Sequence, residues 1–226
     1  MTKPFLIGGA SMPRSGHHFL HRILMSYFGD SFGYCSYYYP WDHDFFPECC
    51  KNIPCTKYLN TSLSVFFQKS HDFDLTDPVN KADLNLVQIR APIERLYSNF
   101  DLHVKNHPKN RKLSNFRQFA LREYYYYVAF WRKWITAASN NTLVVTYEDL
   151  KNQPDREMLK IIQATGLEAD ETRILNAIAQ QKVSRGGNAR YVARNVEQHE
   201  FFDQEWTAEY LTKIRNACLD YDEFYD

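Results

Sequence analysis

The succession of apolar runs and polar breaks along the chain predicts strands alternating with helices. Phe5-Leu6-Ile7 is a short apolar run that stops at Gly8-Gly9, the pattern of a buried strand entering a tight loop. Beyond that loop Leu20, Ile23 and Leu24 recur at helical spacing. Leu63-Ser64-Val65-Phe66-Phe67 predicts a second strand, followed by Gln68-Lys69-Ser70-His71, and Leu84-Asn85-Leu86-Val87-Gln88-Ile89 predicts a third. The third runs straight into Arg90-Ala91-Pro92, where a proline just inside a helix start, with Glu94 in the first turn, marks an N-terminus. Phe116, Phe119, Tyr126, Phe130 and Trp134 form a stripe on a long helix from about Asn115 to Ala138, which reads as core. Thr142-Leu143-Val144-Val145-Thr146 is a fourth strand, ending at Tyr147-Glu148-Asp149. Pro154 opens a helix that Gly166 closes, and further helices are expected over 170–182 and near 207–219.

Residues 29–56 carry neither period and read as a long structured loop, dense in aromatics at Tyr37-Tyr38-Tyr39 and Trp41. Such a loop either builds a wall for flat or ringed ligands or packs a small core of its own, and both readings stand. Strands alternating with helices point to an α/β fold with a central parallel sheet flanked by helices, in a three-layer α/β/α arrangement. In such sheets ligands sit beyond the carboxyl ends of the strands. The 13–19 loop, Lys69 to His71, Arg90 and Tyr147 all fall there.

Composition narrows the function. At 226 residues the chain is read as one domain, 1–226, with room for a full core. Lys+Arg and Asp+Glu both number 27, and the balance argues against a general nucleic-acid or membrane-surface binder. No apolar run approaches the roughly 20 residues of a membrane span. The N-terminus enters a strand with no signal-peptide pattern, so a cytoplasmic protein is expected. The five cysteines include the cluster Cys49-Cys50-x4-Cys55. Its spacing matches no zinc signature, and no metal is expected.

The chemistry concentrates in Pro13-Arg14-Ser15-Gly16-His17-His18-Phe19-Leu20. Strand, Gly/Ser/Pro loop and helix together aim backbone N–H groups and a helix N-terminus at an anion. Arg14 adds a fixed cation suited to phosphate oxygens. A nucleoside-triphosphatase loop reads GxxxxGK[ST], but here His17 and His18 follow Gly16 and Ser11 stands for the first glycine. The lysine and the magnesium-binding hydroxyl needed for Mg-ATP are missing.

The loop resembles the 5′-phosphosulfate-binding loop of the PAPS-dependent sulfotransferases, roughly P-[KR]-S-G-T-x-[WFL], through Pro13, Arg14, Ser15, Gly16 and Phe19; His17 and His18 replace the usual hydroxyl residues. Arg90 and Ser98 reproduce the family's pairing of a strand-end arginine with a helix serine eight residues on, which implies 3′-phosphate binding. The residues themselves agree, since a strand-end guanidinium and a hydroxyl on the second helical turn can share one anion near the helix's positive end. Lys69-Ser70-His71 is similar to the family's K-T-H segment, although the usual Leu-Pro after it is Asp72-Phe73 here. The resemblance implies that His71 is the general base and that Lys69, with Arg14, stabilises the transferring group. Imidazole titrates near the working pH, as a base for a hydroxyl must. His17, His18, Glu48 and Glu94 are rival bases. Tyr147 and Phe19 resemble the adenine-contacting aromatics, and Ser184-Arg185-Gly186-Gly187 resembles a late R-K-G motif, implying that Arg185 and Gly187 reach the 3′-phosphate, with Arg190 or Arg194 as substitutes.

The resemblance implies a P-loop-like α/β enzyme that moves the sulfuryl group of 3′-phosphoadenosine 5′-phosphosulfate (PAPS) to an acceptor hydroxyl or amine and leaves PAP. Cofactor-binding residues are then Arg14, Ser15, Gly16, His17, His18, Phe19, Arg90, Ser98, Tyr147, Arg185 and Gly187. The acceptor stays open among a small molecule, a saccharide and a tyrosyl side chain, and the oligomeric state is open too. A small-molecule kinase and a non-catalytic PAP-binding protein are the alternatives.

Overall fold

The computed structural model describes residues 3–36, 52–56, 62–79, 81–184 and 195–225. Among them five strands, β1 (Phe5–Ser11), β2 (Phe32–Ser36), β3 (Val65–Ser70), β4 (Leu84–Ile89) and β5 (Thr142–Thr146), form one sheet in the order β2-β3-β1-β4-β5. All four pairings are parallel, so each connection crosses over the sheet. The helices are α1 (His17–Phe28), α2 (Pro92–Asn106), α3 (Leu113–Trp131), α4 (Tyr147–Asn152), α5 (Pro154–Ala164), α6 (Glu171–Ser184), α7 (Gln204–Ala217) and α8 (Asp222–Tyr225). The expected α/β/α layering is present.

Helices cover both faces, which is why β3 and β4 are buried at every position and lack strict alternation. On one face Ile7, Phe67, Leu84 and Leu86 pack against Leu20, Ile23 and Leu24 of α1 and Ile161 and Ile178 of α5 and α6. On the other, Ala10, Val87 and Ile89 lie under Leu96 and Phe100 of α2, Phe116, Phe130 and Trp131 of α3, and Ile214 of α7. The α3 aromatic stripe is thus core, as expected. Because β1 leads to α1 on one face and β4 to α2 on the other, a crevice opens between the carboxyl ends of these neighbouring strands.

Several boundaries differ from the sequence expectation. β1 does not stop at Gly8-Gly9 but runs to Ser11, because Gly9 is where the backbone meets a neighbour: a Cβ there would lie 2.1 Å from Phe67 Cε2. Residues 29–56 are not all loop, since Phe32–Ser36 forms β2 at the sheet edge. β3 starts and ends later than expected, so Lys69 and Ser70 are strand residues. The long helix ends at Trp131 and continues as a π turn over Arg132–Thr136. Tyr147-Glu148-Asp149 opens α4, capped by the Thr146 hydroxyl accepting from Asp149 N at 3.0 Å. Among the described residues no helix is long and apolar enough to cross a membrane. Nor does any group of three or more His, Cys, Asp or Glu among them sit where it could hold a metal ion.

Candidate functional site

The loop after β1 is built from two left-handed residues and a turn. Arg14 has φ 72° and Gly16 φ 83°, and Ser15 N donates to Met12 O at 3.2 Å. Arginine rarely occupies this region, and here its surroundings hold it. Its Nε donates to Ser98 Oγ at 2.9 Å, and its carbonyl accepts Arg90 Nη1 at 3.2 Å. Gly16 then caps α1 without a side chain, leaving the helix's first N–H groups no side-chain partner there. Tyr147 closes the cluster. Its ring lies where a Gly16 Cβ would meet Cδ2 at 2.4 Å, and the Arg90 guanidinium stacks over it at 4.6 Å from the centroid.

Arg14, Ser15, Gly16, Arg90, Ser98 and Tyr147 are therefore brought together at the crevice between β1 and β4. The expected Arg90–Ser98 partnership runs through Arg14, which bonds both. Two donors in this cluster, Ser15 Oγ and Arg90 Nε, are buried without a hydrogen-bond partner among the described residues. Orphaned buried donors beside cationic side chains fit a group rich in phosphate oxygens.

The end of β3 lies alongside β1, with Gly9 opposite Lys69 and Ala10 opposite Ser70. Lys69 is 1% exposed, and its Nζ lies 2.7 Å from His71 Nε2. His71 Nδ1 lies 2.6 Å from Ser11 O. A carbonyl only accepts, so Nδ1 carries the proton and Nε2 is the basic nitrogen, receiving from Lys69. Burial, and next the Lys69 charge, hold the His71 pKa well below the ordinary 6.5.

The remaining candidates separate. The His17 ring turns inward, with Nε2 2.8 Å from Tyr34 Oη and Nδ1 3.3 Å from Gln88 Oε1, packed against Phe67. Its pKa is also held well below 6.5, first by burial and then by Lys69. Of the rival bases, His17 thus has both ring nitrogens engaged by neighbouring side chains. His18 is exposed on the loop side, its pKa lowered by desolvation and by Lys69, Arg22 and Arg14. Phe19 is half-buried against the core beneath α1. Glu94 is exposed in the first turn of α2. Glu48, Arg185, Gly187, Arg190 and Arg194 lie outside the described residues, as do Tyr37 to Tyr39, Trp41, Cys49 and Cys50. Cys55 is buried beside Leu6, Cys35 and Phe66.

Sequence reasoning missed the residues that hold His71. Ser11 supplies a backbone carbonyl, which has no residue-type signal. Tyr126, read only as part of the core stripe, donates its hydroxyl to the His71 carbonyl. Phe73 is 49% exposed with its ring 5.2 Å from that of His71, and the Asp72-Phe73 departure after K-S-H was the signal that could have found it.

The fold recurs in solved structures of low sequence identity. Mouse sulfotransferase SULT7A1 complexed with PAP aligns over 99% of this chain and 86% of its own, at 13% identity and TM-score 0.69. Retinol dehydratase in a complex with retinol and PAP aligns over 100% and 84%, at 15% identity and TM-score 0.64. The sulfotransferase domain of the Synechococcus PCC 7002 olefin synthase aligns over 94% and 95%, at 14% identity and TM-score 0.54. No curated protein sequence matches significantly. The family model described as the sulfotransferase domain matches residues 9–210. With that match across most of its length, and with the loop, strand-end arginine and adjoining lysine–histidine pair in one crevice, the chain belongs to the sulfotransferase domain family.

Proposed function

We propose that the chain transfers the sulfuryl group of PAPS to an acceptor hydroxyl or amine, with His71 as the general base. The observation that carries the reading is the Lys69 Nζ–His71 Nε2 contact of 2.7 Å at the end of β3, beside the β1 loop that carries Arg14, Ser15 and Gly16. Bound in the crevice, PAPS supplies an activated sulfuryl group and a phosphate leaving group. Ser15, Gly16 and the first turn of α1 with its His17 and His18 amides suit the 5′ end. Arg90 and Ser98 suit the 3′-phosphate, together with Arg185 and Gly187 of the late motif. Tyr147 and Phe19 suit the adenine.

The proton path follows from the tautomer. Nδ1–H is committed to Ser11 O, so Nε2 takes the acceptor proton as the acceptor attacks sulfur. Lys69 leaves Nε2 for the negative charge that builds on the oxygens during in-line transfer, and Arg14 adds to that stabilisation. With the ammonium turned to anionic oxygens, the largest of the charges that depress the His71 pKa is offset, and the base strengthens when the donor is in place.

Known complexes of the fold hold retinol and androsterone, and the exposed Phe73 ring beside His71 suits an apolar or ring-bearing acceptor of that kind. A kinase reading has less support, because His17 stands at the lysine position of an ATP loop and its ring is bound to Tyr34 and Gln88. Calorimetric titration with PAP, beside ATP with magnesium, tests the reading. Micromolar PAP binding with little response to Mg-ATP is expected. Tight Mg-ATP binding without PAP binding overturns it.

A further inference from the structure

The segment after His71 is held by a buried charge. Asp72 turns the chain with φ 46°, and its carboxylate is entirely out of solvent. Oδ2 accepts Lys133 Nζ at 2.6 Å and Trp134 Nε1 at 2.7 Å, and Oδ1 accepts Asp77 N at 2.8 Å. Lys133 also donates to Leu75 O at 3.0 Å, and Asp72 N donates to Ser70 Oγ at 3.0 Å. Lys133 and Trp134 are consecutive residues in the π turn that ends α3. In an α-helix adjacent side chains diverge by about 100°. The wider turn lets both reach one oxygen, and π turns of this sort gather at functional sites. At the other end of the peptide that Asp72 N belongs to, the Tyr126 hydroxyl donates to the His71 carbonyl. The peptide that follows His71 is thus fixed from α3 at its carbonyl, and Asp72 beyond it from the π turn.

A carboxylate wholly out of water persists only with its charge paired and its lone pairs filled. Apolar packing would hold a loop at less desolvation cost, and what the ion pair adds is one defined geometry. We propose that Asp72, clamped by Lys133 and Trp134, acts with Tyr126 as a set of positioning residues that keep the His71 ring with Nδ1 on Ser11 O and Nε2 turned to the reaction. The clamp fills the place where the family's segment continues Leu-Pro. The inference rests on the sulfotransferase reading for its catalytic meaning, while the ring's orientation is measurable without donor or acceptor.

Two variants test it. Asp72→Asn keeps the shape and removes the charge. Tyr126→Phe keeps the ring and removes a single donor, and so serves even where Asp72→Asn does not fold. Nitrogen-15 spectra of the His71 ring are expected to give a single Nδ1–H tautomer in the wild type and a mixture in both variants. With PAPS and 4-nitrophenol, kcat is expected to drop about tenfold in Tyr126→Phe, with PAP affinity within about twofold of wild type. A His71 tautomer unchanged in Tyr126→Phe, or an unchanged kcat, overturns the positioning role. Failure of the wild type to bind PAP would instead overturn the donor reading, and the tautomer measurement would still decide the clamp.

Discussion

Replacing Gly16 with alanine probes the geometry on which the anion loop depends, and its cost divides into two parts. The first is backbone. With φ 83° and ψ 14° the residue sits in the left-handed region, where an L side chain costs about 1–2 kcal/mol. The second is steric. The new Cβ would lie 2.4 Å from Tyr147 Cδ2 and 3.0 Å from Cε2. The ring must therefore retreat by about 1 Å to restore ordinary carbon–carbon contact. That movement slides it from under the Arg90 guanidinium, now 4.6 Å from its centroid. Overpacking and the weakened cation–π contact together cost about 1–3 kcal/mol. Gly16→Ala should then destabilise the protein by about 2–5 kcal/mol, but by only about 1–2 kcal/mol when Tyr147→Ala has removed the ring. Urea denaturation of the four proteins of this cycle, with slopes checked for constancy, measures both values. An equal cost in the two backgrounds would refute the steric argument. A single-variant cost under about 1 kcal/mol would refute the backbone one.

Other outcomes follow from the same geometry. Arg90→Ala should weaken PAP binding about tenfold to a hundredfold by calorimetry, since it removes a charge-assisted donor; unchanged affinity would take Arg90 out of the site. His71→Ala should lower kcat about a hundredfold or more with PAP affinity intact, and an active variant would hand the base role to another residue. Because burial and Lys69 depress the His71 pKa in the free enzyme, the acid limb of kcat/KM should have its midpoint below 6.5, and a midpoint above that contradicts the assigned environment. Stability carries a related signature. His17, His21 and His71 are all held below 6.5, with His21 at about 4, chiefly by burial. Between those folded values and 6.5 the unfolded chain binds protons that the fold refuses, so stability is full above 6.5 and falls as pH drops. Asp77, raised to about 6 by burial, keeps a proton in the fold that the unfolded chain releases, and so opposes the trend below pH 6. The urea midpoint should accordingly decline from pH 7 to pH 6, and a rise over that interval would contradict the burial of the histidines.

The elements that announced themselves in the sequence are those with local causes. Pro92 at a helix start, the Gly/Ser/Pro loop before α1, and the apolar runs of β4 and β5 all follow from near neighbours. What escaped depends on distant partners. Gly8-Gly9 reads as a turn because the ring that demands a glycine, Phe67, is far along the chain. β2 is an edge strand whose alternation is interrupted by Gly33, so its pairing with β3 decides it rather than its pattern. The residues that gather around the β1–α1 loop were legible one by one, but their wiring was not. That Arg14 would bond Ser98 and carry Arg90 on its carbonyl depends on two left-handed residues in series. Tyr126 gave only a core signal, because a stripe position does not reveal where a hydroxyl ends.

Arg14 also ties together parts of the molecule that otherwise share little. Its loop continues into α1, which belongs to one half of the core, while its guanidinium holds Ser98 of α2, which belongs to the other. The β1–α1 loop is in this respect a rivet through the sheet, and it can loosen only if one of the two helical layers lifts. The amide hydrogens of Met12 and Ser15, which donate to Gln88 O and Met12 O, should therefore exchange no faster than those of the buried turns of α1 and α2, a degree of protection unusual for a loop. A surface that must receive a highly charged ligand is then as rigid before the encounter as the core beneath it.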